Sequence, residues 1–299
     1  MRLNGLSAFP ITPATPAGKV DVAGFRALVA RLCAAEVDSV GALGSTGSYP
    51  YLTRGERRRA LDAALEEIDG RTPVLVGVGA LRTDEAVALA QDARAAGAAA
   101  GLLAPVSYTP LTDDEVYEHF AVVARESGLP LCIYDNPGVT HFRFGADLVG
   151  RLSRVPGVVA VKSPSPAEGD VGGRLAELRS VTSAGFSIGY SGDWNAVEAL
   201  IAGGEAWYSV VGGLFPRTAM AIVRAIREGD VAEARRLNAR LEPLWSLFRE
   251  FSSLRVIYAS ASLLGLASAE PPRPILPLAG AARAKVAEVL TGLGLDTEA

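Results

Sequence analysis

Eight short apolar runs recur along the 299 residues, separated by stretches with helical patterning. The spacing is about 30 residues, the length of one strand–helix unit. Several runs are continuously apolar rather than alternating, which is typical of parallel strands that are covered on both faces. Eight such units favour an α/β fold of the (β/α)8 TIM barrel type. The predicted strands are residues 5–12, 39–44, 73–79, 99–105, 130–135, 158–162, 186–192 and 206–212.

An open doubly wound sheet is the rival architecture. It normally carries a glycine-rich phosphate turn after its first strand, and the sequence ITPATPAGK at 11–19 is not such a turn. Three further helical patterns follow the eighth strand–helix unit. We therefore predict a barrel domain over residues 1–229 and a C-terminal helical extension packed on it over residues 230–299.

Local signals predict where several helices begin. The pairs Thr53 with Glu56 and Thr112 with Glu115 have the spacing of a capping box. Asp193 is predicted to be the N-cap of the helix that follows the seventh strand, and the alternative is that it receives a substrate hydroxyl. Two prolines follow Lys162, so the sixth strand is predicted to end at the lysine, with the next helix beginning near residue 170.

Composition and charge exclude several functions. With 49% hydrophobic and 21% charged residues the chain is globular, and a net charge of −4 gives no basic surface for nucleic acid. No apolar segment approaches the length of a membrane span, and no signal peptide is recognisable, so a cytoplasmic protein is expected. The two cysteines have no companions at metal-binding spacing, and neither a metal nor a cofactor is predicted.

Polar clusters follow six of the eight predicted strands. In a (β/α)8 barrel the active site is built at the carboxyl ends of the strands. The clusters therefore predict an active site at that end of the barrel. They are residues 44–50, 105–110, 134–140, 162, 190–193 and 208–213.

Lys162 ends an apolar run in a chain that otherwise uses arginine. Only three of its 29 basic residues are lysines. Burial favours the neutral form of an amine, and a neutral amine adds to a ketone or aldehyde to give an imine, which arginine does not form. The alternative is a lysine that reaches into solvent or pairs with an acid. The scarcity of lysine elsewhere favours the imine.

Hydroxyl and phenol groups accompany the lysine in the predicted site. Tyr134 ends the neighbouring strand, and a phenol beside an imine can pass protons to the substrate. Ser45 and Thr46 are suitable relays, and the two glycines of the same segment, Gly44 and Gly47, leave backbone amides open to a carboxylate. The alternative for Tyr134 is a tyrosine of the core, and the alternative for the segment 44–47 is an ordinary flexible loop.

Taken in order, these segments resemble the motifs of the dihydrodipicolinate synthase and N-acetylneuraminate lyase family. The resemblance covers nearly the whole chain. It implies a barrel enzyme that forms a Schiff base with pyruvate or a related 2-keto acid, usually as a homotetramer built from dimers. The segments are GSTG (44–47), YDNPGVT (134–140), VVAVK (158–162), SGD (191–193) and AWYSVVGGLFP (206–216).

By this resemblance Lys162 matches the imine lysine and Tyr134 the proton-shuttling tyrosine. Ser45 and Thr46 match the paired hydroxyls that hold the keto-acid carboxylate and complete the proton relay. Tyr208 matches the position whose backbone lies beside the keto acid. The implied substrates are a small 2-keto acid and an aldehyde partner.

Four departures from the family pattern concern the substrate and the relay. Val139 stands where synthases carry an arginine for the second substrate's carboxylate. Val106 and Ser107 stand where paired tyrosines are found, one of which reaches across a subunit interface. Tyr108, one step further on, substitutes only if the loop shifts. Ser48 replaces the acid that normally follows the GSTG segment.

Four functions are compatible with these residues. The first is a Schiff-base lyase or aldolase acting on a 2-keto acid. The second is a dehydratase for 2-keto-3-deoxy sugar acids that uses the same imine. The third is 4-hydroxy-tetrahydrodipicolinate synthase itself, against which the missing arginine argues. The fourth is a keto-acid-binding barrel with little turnover.

Overall fold

Eight parallel strands follow one another in chain order around a closed barrel. The structure, a computed structural model, describes residues 3–166, 171–268 and 270–295. Each strand coincides with a predicted apolar run, so the (β/α)8 prediction is confirmed. The strands are β1 Gly5–Ala8, β2 Ser39–Ala42, β3 Val74–Gly77, β4 Ala100–Leu103, β5 Leu131–Tyr134, β6 Val158–Pro164, β7 Ser187–Ser191 and β8 Ala206–Ser209.

Helices alternate with these strands and continue after the last one. In the described ranges, none of them has the length and apolar character of a membrane-spanning segment. They are α1 Val22–Ala34, α2 Arg54–Ile68, α3 Thr83–Ala96, α4 Asp113–Ser127, α5 Pro137–Thr140, α6 Ala146–Leu152, α7 Val171–Val181, α8 Asp193–Ile201, α9 Pro216–Arg227, α10 Val231–Arg240, α11 Glu242–Phe251, α12 Ser253–Leu263 and α13 Gly280–Leu293.

One of the two predicted capping boxes forms completely. At the start of α4 the Thr112 hydroxyl accepts the Glu115 N–H, and the Glu115 carboxylate accepts the Thr112 N–H at 2.7 Å. At the start of α2 the Thr53 hydroxyl accepts the Glu56 N–H. The Glu56 carboxylate, however, accepts the N–H of Val20 at 2.8 Å, a bond that lowers its pKa. The prediction that the Glu56 carboxylate accepts the Thr53 N–H is therefore wrong, because the carboxylate accepts an N–H from a distant segment instead.

One compact unit comprises Met1–Gly5 and Pro73–Tyr208. It contains β3 to β7, the first three residues of β8, and α3 to α8. Every residue of β3, β4 and β5 is buried. Across the sheet Tyr134 of β5 pairs with Lys162 of β6, which in turn pairs with Gly189 of β7. The strand register therefore sets the predicted phenol and the predicted amine side by side.

Strand β6 continues past the lysine, contrary to the prediction that it ends there. Ser163 and Pro164 still pair with β7, opposite Tyr190 and Ser191. Proline is tolerated at this place because the end of a strand loses only one ladder N–H. The helix start predicted near residue 170 lies outside the described residues; α7 is described from Val171.

A second compact unit comprises Leu6–Thr72 and Ser209–Ala299. It holds β1 from Leu6 onward, β2, and the helices α1, α2 and α9 to α13. Phe9 donates its N–H to the Ser209 carbonyl at 2.9 Å. Gly213 lies so close to Phe9 that a Cβ there would fall 2.1 Å from the Phe9 carbonyl oxygen. The division into a barrel domain and an extension at residue 229 stays a prediction.

Candidate active site

Lys162 is buried between two aromatic rings. The residue is only 4% exposed, and its Nζ lies 4.5 Å from the ring centroid of Tyr134 and 5.7 Å from that of Tyr208. Aromatic faces at these distances attract a cation and shield an amine from bulk water. The alternative that the lysine reaches into solvent is therefore wrong.

Gly189 makes room for one of these rings. A Cβ at this position would lie 2.5 Å from the Tyr208 ring and 2.8 Å from the Ala206 side chain. Because residue 189 is paired with Lys162, any larger side chain there would push Tyr208 away from the amine. The absence of a side chain at Gly189 is thus part of the site, and sequence reasoning did not single it out.

The Tyr208 phenol lies 3.5 Å from the Cys132 thiol. Burial raises the pKa of the Tyr208 phenol well above its usual value and that of the Cys132 thiol to about 12. Both groups therefore stay protonated at neutral pH and form an uncharged wall beside the lysine. Sequence reasoning assigned Tyr208 through its backbone alone; the side chain also faces the amine.

On the other side of the lysine, Tyr134 receives a hydrogen bond from Asn136. The Asn136 Nδ2 donates to the Tyr134 phenol oxygen at 2.8 Å. Side chains two residues apart in extended backbone point to the same face, which brings this amide to the phenol. Sequence reasoning missed Asn136, although the period of two was a signal that could have found it.

Asp135 points away from Tyr134 and is buried behind the sheet. Its backbone N–H donates to the Lys162 carbonyl at 3.0 Å. Burial raises the pKa of its carboxyl to about 6, although the Phe144 N–H, the cations of Arg143 and Arg174 and a side-chain hydrogen bond with Ser163 all oppose this shift. This titrating carboxyl behind the site was also missed.

We expect Asp135→Asn to remove a pH dependence from the stability of the protein. The ordinary pKa of the carboxyl is 3.8, so between about pH 4 and 6 the folded state binds more protons than the unfolded state. The free energy of unfolding of the wild type therefore falls as pH rises through this window, by about 3 kcal/mol, because folding raises the pKa of the carboxyl from 3.8 to about 6. Asparagine does not titrate. The free energy of unfolding of Asp135→Asn should therefore rise relative to that of the wild type by the same amount as pH increases through this window.

The measurement is urea unfolding of both proteins at several pH values from 4 to 7. Glu115→Gln is a matched control, because the Thr112 hydrogen bonds lower the pKa of that exposed carboxyl and the dependence should have the opposite sign. Parallel curves for wild type and Asp135→Asn would contradict the prediction.

In the second unit the hydroxyl segment after β2 forms a tight turn. Ser48 donates its N–H to the Ser45 carbonyl at 3.0 Å and adopts a positive φ of 55°. Thr46 is buried. A Cβ at Gly47 would lie 2.9 Å from the Thr12 hydroxyl, so this glycine is needed for close approach to the segment after β1. The segment is therefore a built turn and not a flexible loop.

Tyr258 of α12 holds this turn through hydrogen bonds of its phenol. Its phenol lies 3.2 Å from the Ser48 hydroxyl and donates to the Thr12 carbonyl at 3.2 Å. All three residues are buried. Ser48, which replaces the acid of the family pattern, is thus held by a residue 210 positions away that sequence reasoning did not connect with it.

Two predicted positions lie on the surface. Tyr108, in the loop between β4 and α4, is 98% exposed, and Val139 of α5 is 60% exposed. The neighbouring Ser107 hydroxyl accepts the Thr109 N–H at 3.1 Å. Tyr108 therefore does not belong to the buried cluster of this chain, and its role in a relay stays a prediction.

Asp193 does not cap α8, contrary to the prediction. It is the first residue of the helix, and Gly192, with a positive φ of 86°, holds the N-cap position. The Asp193 carboxylate instead accepts the indole N–H of Trp207 at 2.8 Å. A buried indole needs an acceptor, and this need outweighs the local capping preference.

The first unit therefore combines a buried amine, two phenols and an amide donor. Such groups can carry out carbonyl addition and proton transfer. Over the ranges that the structure describes, no group of three His, Cys, Asp or Glu side chains is arranged to hold a metal ion.

Comparison with known proteins agrees with this chemistry. Residues 2–293 match the sequence profile of the dihydrodipicolinate synthetase family. The chain belongs to this family. A 4-hydroxy-tetrahydrodipicolinate synthase of Methylococcus capsulatus is 35% identical over 286 residues, which cover 95% of this chain and 96% of that protein.

Solved structures of the family match nearly the whole chain. A dihydrodipicolinate synthase from Agrobacterium tumefaciens is 59% identical, with a TM-score of 0.95 and 98% of both chains covered. Another, from Aquifex aeolicus, is 27% identical, with a TM-score of 0.90 over 98% of this chain and 99% of that one. Family membership confirms the predicted resemblance and the predicted enzyme class, a lyase of the Schiff-base aldolase type.

Proposed function

We propose that this family member joins Lys162 to a 2-keto acid, pyruvate or a close relative, and makes or breaks a carbon–carbon bond beside the imine. The observation that carries the proposal is the burial of the Lys162 amine between the rings of Tyr134 and Tyr208. The amine is held beside two phenols, and an amine adds to a carbonyl to give an imine.

The steps follow from these groups. The amine adds to the keto carbon to give a carbinolamine, whose hydroxyl leaves as water with a proton from the Tyr134 phenol. This gives a protonated imine and a phenolate. The phenolate then takes a proton from the neighbouring carbon, which restores the phenol and leaves an enamine. The enamine carbon attacks the carbonyl carbon of an aldehyde, and the aldehyde oxygen takes the Tyr134 proton to become a hydroxyl, which restores the protonated imine. In the cleavage direction the imine accepts the electron pair of the breaking bond.

We assign the keto-acid carboxylate to the hydroxyls of Ser45 and Thr46 and the backbone of Gly47, with Ser45 also in the proton relay. Support comes from the turn itself, because the Ser48 bonds hold the segment in one conformation. The Tyr208 backbone is assigned a place beside the keto acid, and Tyr108 a place in the relay only if its loop shifts, because Ser107 holds the motif position. These assignments rest on the family motifs.

The second substrate is proposed to be an aldehyde without a carboxylate of its own. Val139, exposed on α5, stands where synthases of the family carry an arginine for that group. The names of the curated relatives favour a second candidate, 4-hydroxy-tetrahydrodipicolinate synthesis. A sugar-acid dehydratase would use the same imine. We further propose a cytoplasmic homotetramer, as the family resemblance implies.

The experiment is borohydride reduction of the protein in the presence of pyruvate, followed by peptide mass spectrometry. One reduced pyruvyl group is expected on the peptide that holds Lys162. An unmodified peptide at saturating pyruvate would overturn the proposal for this keto acid. Wild type is then assayed with 2-keto-3-deoxy sugar acids and with aldehydes that carry or lack a carboxylate. Pyruvate release identifies a lyase, and a dehydrated product without cleavage identifies a dehydratase.

A further inference from the structure

We propose that Asn136 is a positioning residue that stabilises negative charge on the Tyr134 oxygen during the imine steps. This inference rests on the proposed function, because it concerns the proton transfers of the same site. The observation is the hydrogen bond from the Asn136 amide to the Tyr134 phenol oxygen, 2.8 Å long. The bond points at the atom that gives up and takes back the proton.

The backbone of Asn136 is fixed independently of this bond. Its carbonyl accepts the N–H groups of Val139 and Thr140 and the Thr140 hydroxyl, each at 3.0 Å. On its other side Asp135 donates its N–H to the Lys162 carbonyl at 3.0 Å. The amide is therefore presented to the phenol by the end of β5 and the one turn of α5.

The direction of the bond determines its chemical effect. A primary amide N–H donates and has no lone pair with which to take the phenol proton. When Tyr134 protonates the departing hydroxyl, its oxygen becomes a phenolate, and a hydrogen bond to a charged acceptor is about twice as strong as one to a neutral acceptor. The bond therefore strengthens as the proton leaves, and it lowers the barrier to each step that places charge on the phenol oxygen.

Two substitutions of similar size separate this role from simple anchoring. Asn136→Leu removes the donor, and Asn136→Asp keeps the shape but presents a carboxylate, which accepts the phenol O–H and opposes its ionisation. If the amide stabilises charge, Asp should be worse than Leu. If the side chain only anchors Tyr134 through a hydrogen bond, Asp should preserve the function and Leu should not.

The test measures two rates with pyruvate: borohydride-trapped imine as a function of time, and exchange of the pyruvate methyl protons with solvent deuterium. We expect both rates to fall about tenfold in Asn136→Leu and further in Asn136→Asp, with the concentration of pyruvate at half-maximal rate changed by less than about threefold. Thermal unfolding of each variant controls for folding.

The outcomes are distinct. A wild type that traps no pyruvate would overturn the proposed function and this inference with it. A wild type that traps and exchanges, together with an Asn136→Asp variant at the wild-type rate, would overturn the inference alone. If Asn136→Leu does not fold, the comparison of Asn136→Asp with wild type still decides.

Discussion

Lys162→Ala should abolish borohydride trapping of pyruvate and lower turnover at least about a thousandfold, because no other group in the cluster forms an imine. Lys162→Arg is expected to fail equally, since a guanidinium keeps the charge but does not add to a carbonyl at accessible pH. The measurements are turnover with the best substrate of the aldehyde and sugar-acid panel and the mass of the reduced peptide.

The melting temperature of a third variant, Lys162→Met, is the control for Lys162→Ala and Lys162→Arg. Lys162→Met fills nearly the same volume without a buried amine, so its melting temperature should be no lower than that of the wild type. Loss of activity with an intact melting transition would assign the defect to chemistry. Turnover of Lys162→Arg above about one per cent of wild type would contradict the imine and point to a role of the charge alone.

The barrel was predictable because periodicity is a local property. Each strand needs only a short apolar run, and each run lies in the sequence where the strand lies in the structure. The end of β6 was not predictable in the same way. Pro164 breaks a strand when read locally, but pairing of Ser163 and Pro164 with β7 holds it in the sheet.

The candidate site divides along a similar line. Lys162 and Tyr134 were found because a lysine after an apolar run is conspicuous and the preceding strand ends in a phenol. Asp135 and Asn136 directly follow Tyr134 in the chain but resemble ordinary turn residues. Their roles depend on the groups that surround their side chains. The Asp135 carboxyl is buried near cations and hydrogen-bond donors, and the Asn136 amide donates to the Tyr134 phenol oxygen.

Contacts between distant segments carry no local signal at all. The bond between Ser48 and Tyr258 joins residues 210 positions apart, and the room that Gly189 leaves is defined only by the Tyr208 ring from the next strand. Motif resemblance names positions along the chain. It does not reveal the side chains that hold those positions in place. Relatives with the same motifs can differ in reaction rate through substitutions at such supporting residues.

Tyr134→Phe should reduce turnover by about a hundredfold to a thousandfold, the usual contribution of a positioned proton donor. The ring stays beside the Lys162 amine, so packing is kept, while the proton and the oxygen that Asn136 binds are lost. Trapping of pyruvate should still occur, but slowly, because water can replace the phenol only poorly. The measurements are turnover and deuterium exchange into pyruvate.

Tyr208→Phe is the matched control, since its ring lies on the other side of the same amine. Its phenol is bound to the Cys132 thiol, and burial raises its pKa well above the usual value, so it is a poor proton donor at neutral pH. We expect turnover to fall less than about tenfold. Equal losses in the two variants would contradict a specific role of Tyr134, because both rings would then serve only to enclose the lysine. A large loss confined to Tyr134→Phe would mean that one of two similar phenols transfers the proton, and that burial excludes the other.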